Sequence, residues 1–131
     1  MATRPTESQT LHDKIIQQAY DNLDKVGHDV YVNAGQQNNT NVGGEYPDII
    51  ITTKDDKAVK FIIEVETSDS INQSEAVTQW TKYSKLGGVF YLLLPKESRN
   101  LAEQICIQNN IKARYGTYSL DSQNNVQISY E

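Results

Sequence analysis

Two short apolar runs in this chain carry charges of a kind that strands do not normally bury. The first is Tyr46-Pro47-Asp48-Ile49-Ile50-Ile51 and the second Phe61-Ile62-Ile63-Glu64-Val65-Glu66. Their isoleucine, valine and phenylalanine suit a pleated, half-buried surface, so both read as strands. The polar stretch Lys54-Asp55-Asp56-Lys57 makes the turn between them. A hairpin closed between residues 53 and 58 pairs positions whose numbers sum to about 111–112 when no bulge intervenes. Asp48 therefore falls opposite residue 63 or 64. Strand side chains alternate faces, so Lys60, Ile62, Glu64 and Glu66 share one face, while Phe61, Ile63 and Val65 turn toward a core.

Asp48, Glu64 and Glu66 are thus expected close together in a poorly hydrated place, where unpaired charge is costly. A divalent cation relieves that cost. Asp48, Glu64 and a strand carbonyl, that of Val65, offer hard oxygen ligands suited to Mg²⁺ or Mn²⁺. Such an ion polarises a phosphate and lowers the pKa of an attacking water, which is the chemistry of phosphodiester hydrolysis. In the competing reading the Glu64-x-Glu66 pattern is fortuitous, and Asp48 points away from Glu64.

The remaining pattern is that of one α/β domain. Leu11, Ile15, Ile16, Ala19 and Leu23 recur at helical spacing within a helix over 8–26, capped by Ser8 or Thr10 and stopped by Gly27. Strands follow at 28–33, 47–53 and 59–67, then a helix over 72–86 closed by Gly87-Gly88. The apolar run Val89 to Leu94 reads as a strand buried on both faces, stopped by Pro95. A helix over 97–109 and strands at 111–120 and 126–130 complete the order αβββαβαββ. A meander followed by a βαβ crossover gives a mixed central sheet flanked by helices. Residues 1–9 are expected to be disordered and 34–45, with the tract Gln36-Gln37-Asn38-Asn39-Thr40-Asn41, to form a mobile loop.

The 131 residues suffice for a core without disulfides or structural zinc. Cys106, the single cysteine, reads as a small buried hydrophobe on a helix face. No apolar run approaches the ~18 residues of a membrane span. The start Met1-Ala2-Thr3-Arg4-Pro5 lacks the apolar core of a signal peptide, so a cytoplasmic setting is expected. The net charge of −5 argues against an unspecific coat on nucleic acid. Residues 1–70 hold twelve acidic and six basic residues (−6), and 71–131 hold five and six (+1). The acidic excess lies with the carboxylates. Lys82, Lys85, Lys96, Arg99, Lys112 and Arg114 remain for phosphates, with Lys96 and Arg99 read as solvated. Tyr20, Tyr31, Tyr91, Tyr115 and Tyr118 read as core-rim residues rather than stacking platforms.

Pro47-Asp48 followed by Glu64-x-Glu66 at the end of the next strand resembles the PD-(D/E)xK nuclease superfamily, from His12 to about Leu94. The resemblance implies a restriction-endonuclease-like fold and a Mg²⁺-dependent nuclease acting on DNA, with Asp48 and Glu64 at the metal. Gln79-Trp80-Thr81-Lys82-Tyr83 resembles the Q-x-x-x-Y motif of the exonuclease-domain branch, and implies that Gln79 and Tyr83 position substrate. His12-Asp13 is similar to the His or Glu that the superfamily carries on its first helix. His12 is therefore kept as a neighbour of the metal, although a lone helical histidine is usually solvated, with Glu7 and Asp13 as weaker candidates. Where the family has lysine this chain has Glu66, which implies a base or second-metal ligand. Some restriction enzymes carry glutamate there and still cleave, and nuclease-like domains with an I-E-V-E-T strand look similar to Ile63-Glu64-Val65-Glu66-Thr67. Lys60 and Lys82 are the candidate replacements for the lysine. Lys60 is about 20 Å from Glu66 along the strand at ~3.3 Å per residue, and Lys82 points away from the Gln79/Tyr83 face. A nuclease of this size is expected to cut two strands as a homodimer, or with a protein partner supplying specificity. The alternative is an impaired accessory module of the same fold that binds nucleic acid or a protein partner in recombination, element excision or defence.

Overall fold

The computed structural model describes residues 6–23, 25–33 and 42–131. Helix α1 (Thr6–Asn22) leads into β1 (His28–Val32), β2 (Ile49–Thr53) and β3 (Val59–Val65). A continuous helical stretch follows: α2 (Gln73–Glu75), a π-helical segment (Ala76–Trp80) and α3 (Thr81–Ser84). Then come β4 (Val89–Pro95), a 3₁₀ turn (Lys96–Ser98), α4 (Arg99–Gln108), β5 (Arg114–Leu120) and β6 (Val126–Tyr130). The protein is an α/β domain built on one mixed sheet of six strands in the order β1-β2-β3-β4-β5-β6. The β3–β4 and β4–β5 pairs are parallel and the others antiparallel.

Both parallel connections pass through helices on the same face. There Ile62, Phe90, Leu92 and Leu94 meet Ala76, Trp80 and Tyr83 of the first crossover and Ala102, Ile105 and Cys106 of α4. On the opposite face, Ile49, Ile51, Ile63, Val65 and Leu93 meet Ile15, Ile16 and Ala19 of α1. The apolar β4 is therefore buried on both sides, as its sequence requires. Cys106 is buried and reduced, and burial pushes its thiol pKa up. Among the described residues no helix is long and apolar enough to cross a membrane.

Several boundaries differ from the sequence pattern. Helix α1 begins at Thr6, inside the stretch expected to be disordered, and ends at Asn22, before Gly27. Residues 1–5 and 34–41, and the Glu7 side chain, lie outside the described residues. Within the expected loop, Val42 and Glu45 exchange both backbone hydrogen bonds, 2.8 and 2.9 Å. Gly43 (φ +58°) and Gly44 (φ +84°) form the tight turn between them, in a conformation that side chains resist. Strand β5 begins late, since 111–113 precede it, while β6 spans the expected residues. Between the pairs Ile51↔Phe61 and Thr52↔Val59 the register slips. Lys60 is the extra residue of that bulge, so face alternation does not carry through it.

Candidate active site

The carboxylates gather where β2 begins and β3 ends. The register Ile49↔Ile63 and Ile50↔Ile62 brings Asp48 opposite Glu64, because the bulge lies beyond these pairs. The Asp48 N–H donates to Glu64 Oε1 at 3.2 Å. Asp48 Oδ2 accepts from the Val65 N–H at 2.8 Å and meets His12 Nε2 at 3.0 Å. Asp48, Glu64 and Glu66 are 2%, 3% and 0% exposed. The reading in which Asp48 turns away from Glu64 does not fit this geometry. Val65 meets Asp48 through its N–H, whereas the sequence suggested a role for its carbonyl.

Burial raises the Glu64 pKa well above the ordinary carboxyl range, and the nearby charges of Asp48 and then Glu66 push it further the same way. Like charges share a dry space here, and the proton is retained to relieve them. Among the described residues, no lysine or arginine pairs with Asp48 or Glu64.

His12 departs from the solvated position usual for a helical histidine. It is 1% exposed, with Nδ1 at 3.2 Å from Asp13 Oδ1. Tyr83 is buried, edge-on to Phe90 with centroids 6.1 Å apart. Burial, then the fields of Glu64 and Asp48, drive its phenol pKa far upward, so Tyr83 stays a neutral O–H. Gln79 is half-buried on the π-helical segment, one helical turn before Tyr83. Such segments occur mostly as bulges within α-helices, frequently at functional sites. The two candidate lysines lie elsewhere. Lys60 is exposed at the bulge, and Lys82 is 56% exposed and pairs with Glu45 at 3.5 Å.

Three supporting residues escaped the sequence reading. Asn33, fully buried, donates its side-chain N–H to the Pro47 carbonyl at 2.7 Å and its backbone N–H to the Asp48 carbonyl at 2.9 Å. It fixes the peptide that presents Asp48. Ser70 donates to Glu66 Oε2 at 3.2 Å from a turn closed onto Thr67. Tyr118 of β5 donates its O–H to the Glu66 carbonyl at 2.8 Å. These links span 14, 4 and 52 residues, and only the Ser70 spacing is local enough to be searched for in a sequence.

Among the described residues, no three His, Cys, Asp or Glu side chains stand ready as a metal cage. A closed cage is not what Mg²⁺ requires, because it keeps several waters and binds through one or two carboxylates. Asp48 and Glu64 meet that smaller requirement: adjacent hard oxygens that no lysine or arginine pairs with among the described residues. Comparison with protein-family models, curated proteins and solved structures finds no match to this chain.

Proposed function

We propose that this chain is a metal-dependent nuclease-like domain of restriction-endonuclease-like fold that hydrolyses DNA phosphodiester bonds in the cytoplasm. Asp48 and Glu64 would hold Mg²⁺ or Mn²⁺. The observation that carries the reading is the buried Asp48–Glu64 contact, in which two carboxylates raise each other's cost with no lysine or arginine to offset it. A bound ion would polarise the phosphate and acidify a water. His12 and the Val65 N–H orient Asp48 by holding one of its oxygens. Ser70 orients the Glu66 carboxylate, which takes the position of the family's lysine as base or second ligand. Tyr83, neutral and buried beside Glu64, is suited to donate a hydrogen bond to substrate, and Gln79 stands one turn before it.

One observation favours a second reading. Neither Lys60 nor Lys82 approaches the carboxylates, so nothing replaces the missing lysine from those positions. On that ground the alternative is an impaired accessory module of the same fold, binding nucleic acid or a protein partner in recombination, element excision or defence. Under either reading, a homodimer or a protein partner supplies what one small domain lacks.

Mn²⁺ titration calorimetry on wild type and Glu64→Ala, with plasmid nicking on the same samples, tests both. The nuclease reading expects Mn²⁺ binding and nicking, both lost in Glu64→Ala. Binding without nicking selects the accessory module. No Mn²⁺ binding by the wild type refutes the metal site.

A further inference from the structure

We propose that the α1 side of the sheet carries a nucleotide subsite, so that the nucleic acid bound is single-stranded. The inference rests on the nucleic-acid part of the reading above, and not on the metal.

Helix α1 is the only described helix on its face, and it leaves part of that face open. Beyond its last turn Phe61, Tyr91 and Tyr130, with His28 and Ile63, line a cavity of about 290 Å³. That is near the lower end of small-molecule pockets, roughly 300 Å³, and suits one ring with its sugar. The three rings form a row across the sheet. Phe61 and Tyr91 have centroids 6.2 Å apart, and Tyr91 and Tyr130 meet edge-on at 5.9 Å. Tyr130 reaches Tyr91 across β5 because residue 116 is glycine. A Cβ there would come within 3.0 Å of the Tyr130 ring.

Charge decides between an apolar occupant and a nucleotide. The exposed Arg114 sits with its guanidinium carbon 5.7 Å from the Tyr91 centroid. With Lys112 and Phe90 it also lines a second cavity of about 320 Å³. Lys54, Lys57, Lys82 and Arg99 each pair with a carboxylate. Among the described residues, Lys112 and Arg114 pair with none. An uncompensated cation over an aromatic row matches a planar base joined to a phosphate. A duplex keeps its bases stacked inside, so the row selects single strands. Ile51 and Ile63 line the cavity, and Asp48 lies three residues from Ile51. That is about 10 Å along the strand, a span of a few nucleotides at about 3.4 Å each.

The test is fluorescence anisotropy of a short fluorescein-labelled oligothymidylate in EDTA, against the same strand in duplex with oligoadenylate. Wild type is expected to bind the single strand at least about tenfold more tightly, because unpairing the duplex costs energy. Arg114→Ala, at an exposed position, should weaken binding and reduce the salt slope by about one. Tyr91→Leu should weaken it roughly 5- to 100-fold. Equal affinity for single strand and duplex, or an unchanged affinity and slope in Arg114→Ala, overturns the proposal whether or not Tyr91→Leu folds. Oligothymidylate binding without Mn²⁺ binding would retire the metal reading alone, and the converse would retire the subsite alone.

Discussion

The two ends of the β2–β3 hairpin use the same kinds of residue to opposite effect. At the turn, Lys54 and Lys57, both more than half exposed, pair with Asp29 of β1. The Lys57 hydrogen bond holds the Asp29 carboxyl below its usual pKa. Asp56 is held low by Thr53 and then by the Ala58 N–H. Opposite charges meet in water there, where screening leaves such pairs little weight. At the other end Asp48, Glu64 and Glu66 are buried, and Glu64 is driven the other way, toward its neutral form. Energetic weight follows position along the hairpin rather than the number of charges. Under the proposed function, the heavy end is the one that would take the metal.

Variants at the two ends test that contrast. The largest effect is expected from His12→Ala, which empties a buried site and strips Asp48 of a partner. A loss of about 2–4 kcal/mol should appear in urea denaturation, and a loss below 1 kcal/mol would mean that His12 is not held by Asp48. Ser70→Ala removes a buried donor to Glu66 and should cost about 1–2 kcal/mol by the same measurement. Both exceed anything expected at the turn.

Glu64→Gln separates the ends by pH. Below the ordinary value of 4.5, Glu64 is neutral in folded and unfolded protein alike. As pH rises past that value the unfolded chain releases the proton first, so wild type loses stability until its own raised pKa is passed. Without metal, the denaturation midpoint of Glu64→Gln should gain steadily on that of wild type above pH 4.5, and Mn²⁺ should restore the advantage to wild type alone. Parallel pH curves would show Glu64 to be ionised in the fold. The smallest effect is expected from Asp29→Asn, whose midpoint should match wild type in high salt. A clear loss there would erase the contrast.

Much of this architecture was legible in the sequence, for definite reasons. The register sum put Asp48 opposite residue 63 or 64, and the bulge between Thr52↔Val59 and Ile51↔Phe61 shifts the register by one residue and settles the partner as Glu64. Alternation sorted Ile62 from Ile63 and Val65 correctly onto two faces, and failed only at Lys60, where the bulge interrupts it. His12 carried an unused signal. It lies three and four residues before Ile15 and Ile16, on the same buried stripe, so its burial followed from helical spacing. Asn33 and Tyr118 gave no such signal, since their links to Asp48 and Glu66 exist only once β1 and β5 are in the sheet. The end of α1 at Asn22 was likewise hidden, because Gly27 at φ +79° belongs to the turn into β1 rather than to a helix cap.

The sheet order has a consequence for how the chain reaches this structure. Every strand lies beside its immediate predecessor in the chain. Each addition therefore closes a local segment of the chain, at an entropic cost that grows only slowly with its length. The sheet can grow edge by edge in the order of translation, β1 to β6. The carboxylate contact needs only β2 and β3, and so forms before β4 arrives. The aromatic row is finished last, when Tyr130 swings over Gly116. A nascent chain would acquire its acidic end well before its aromatic row.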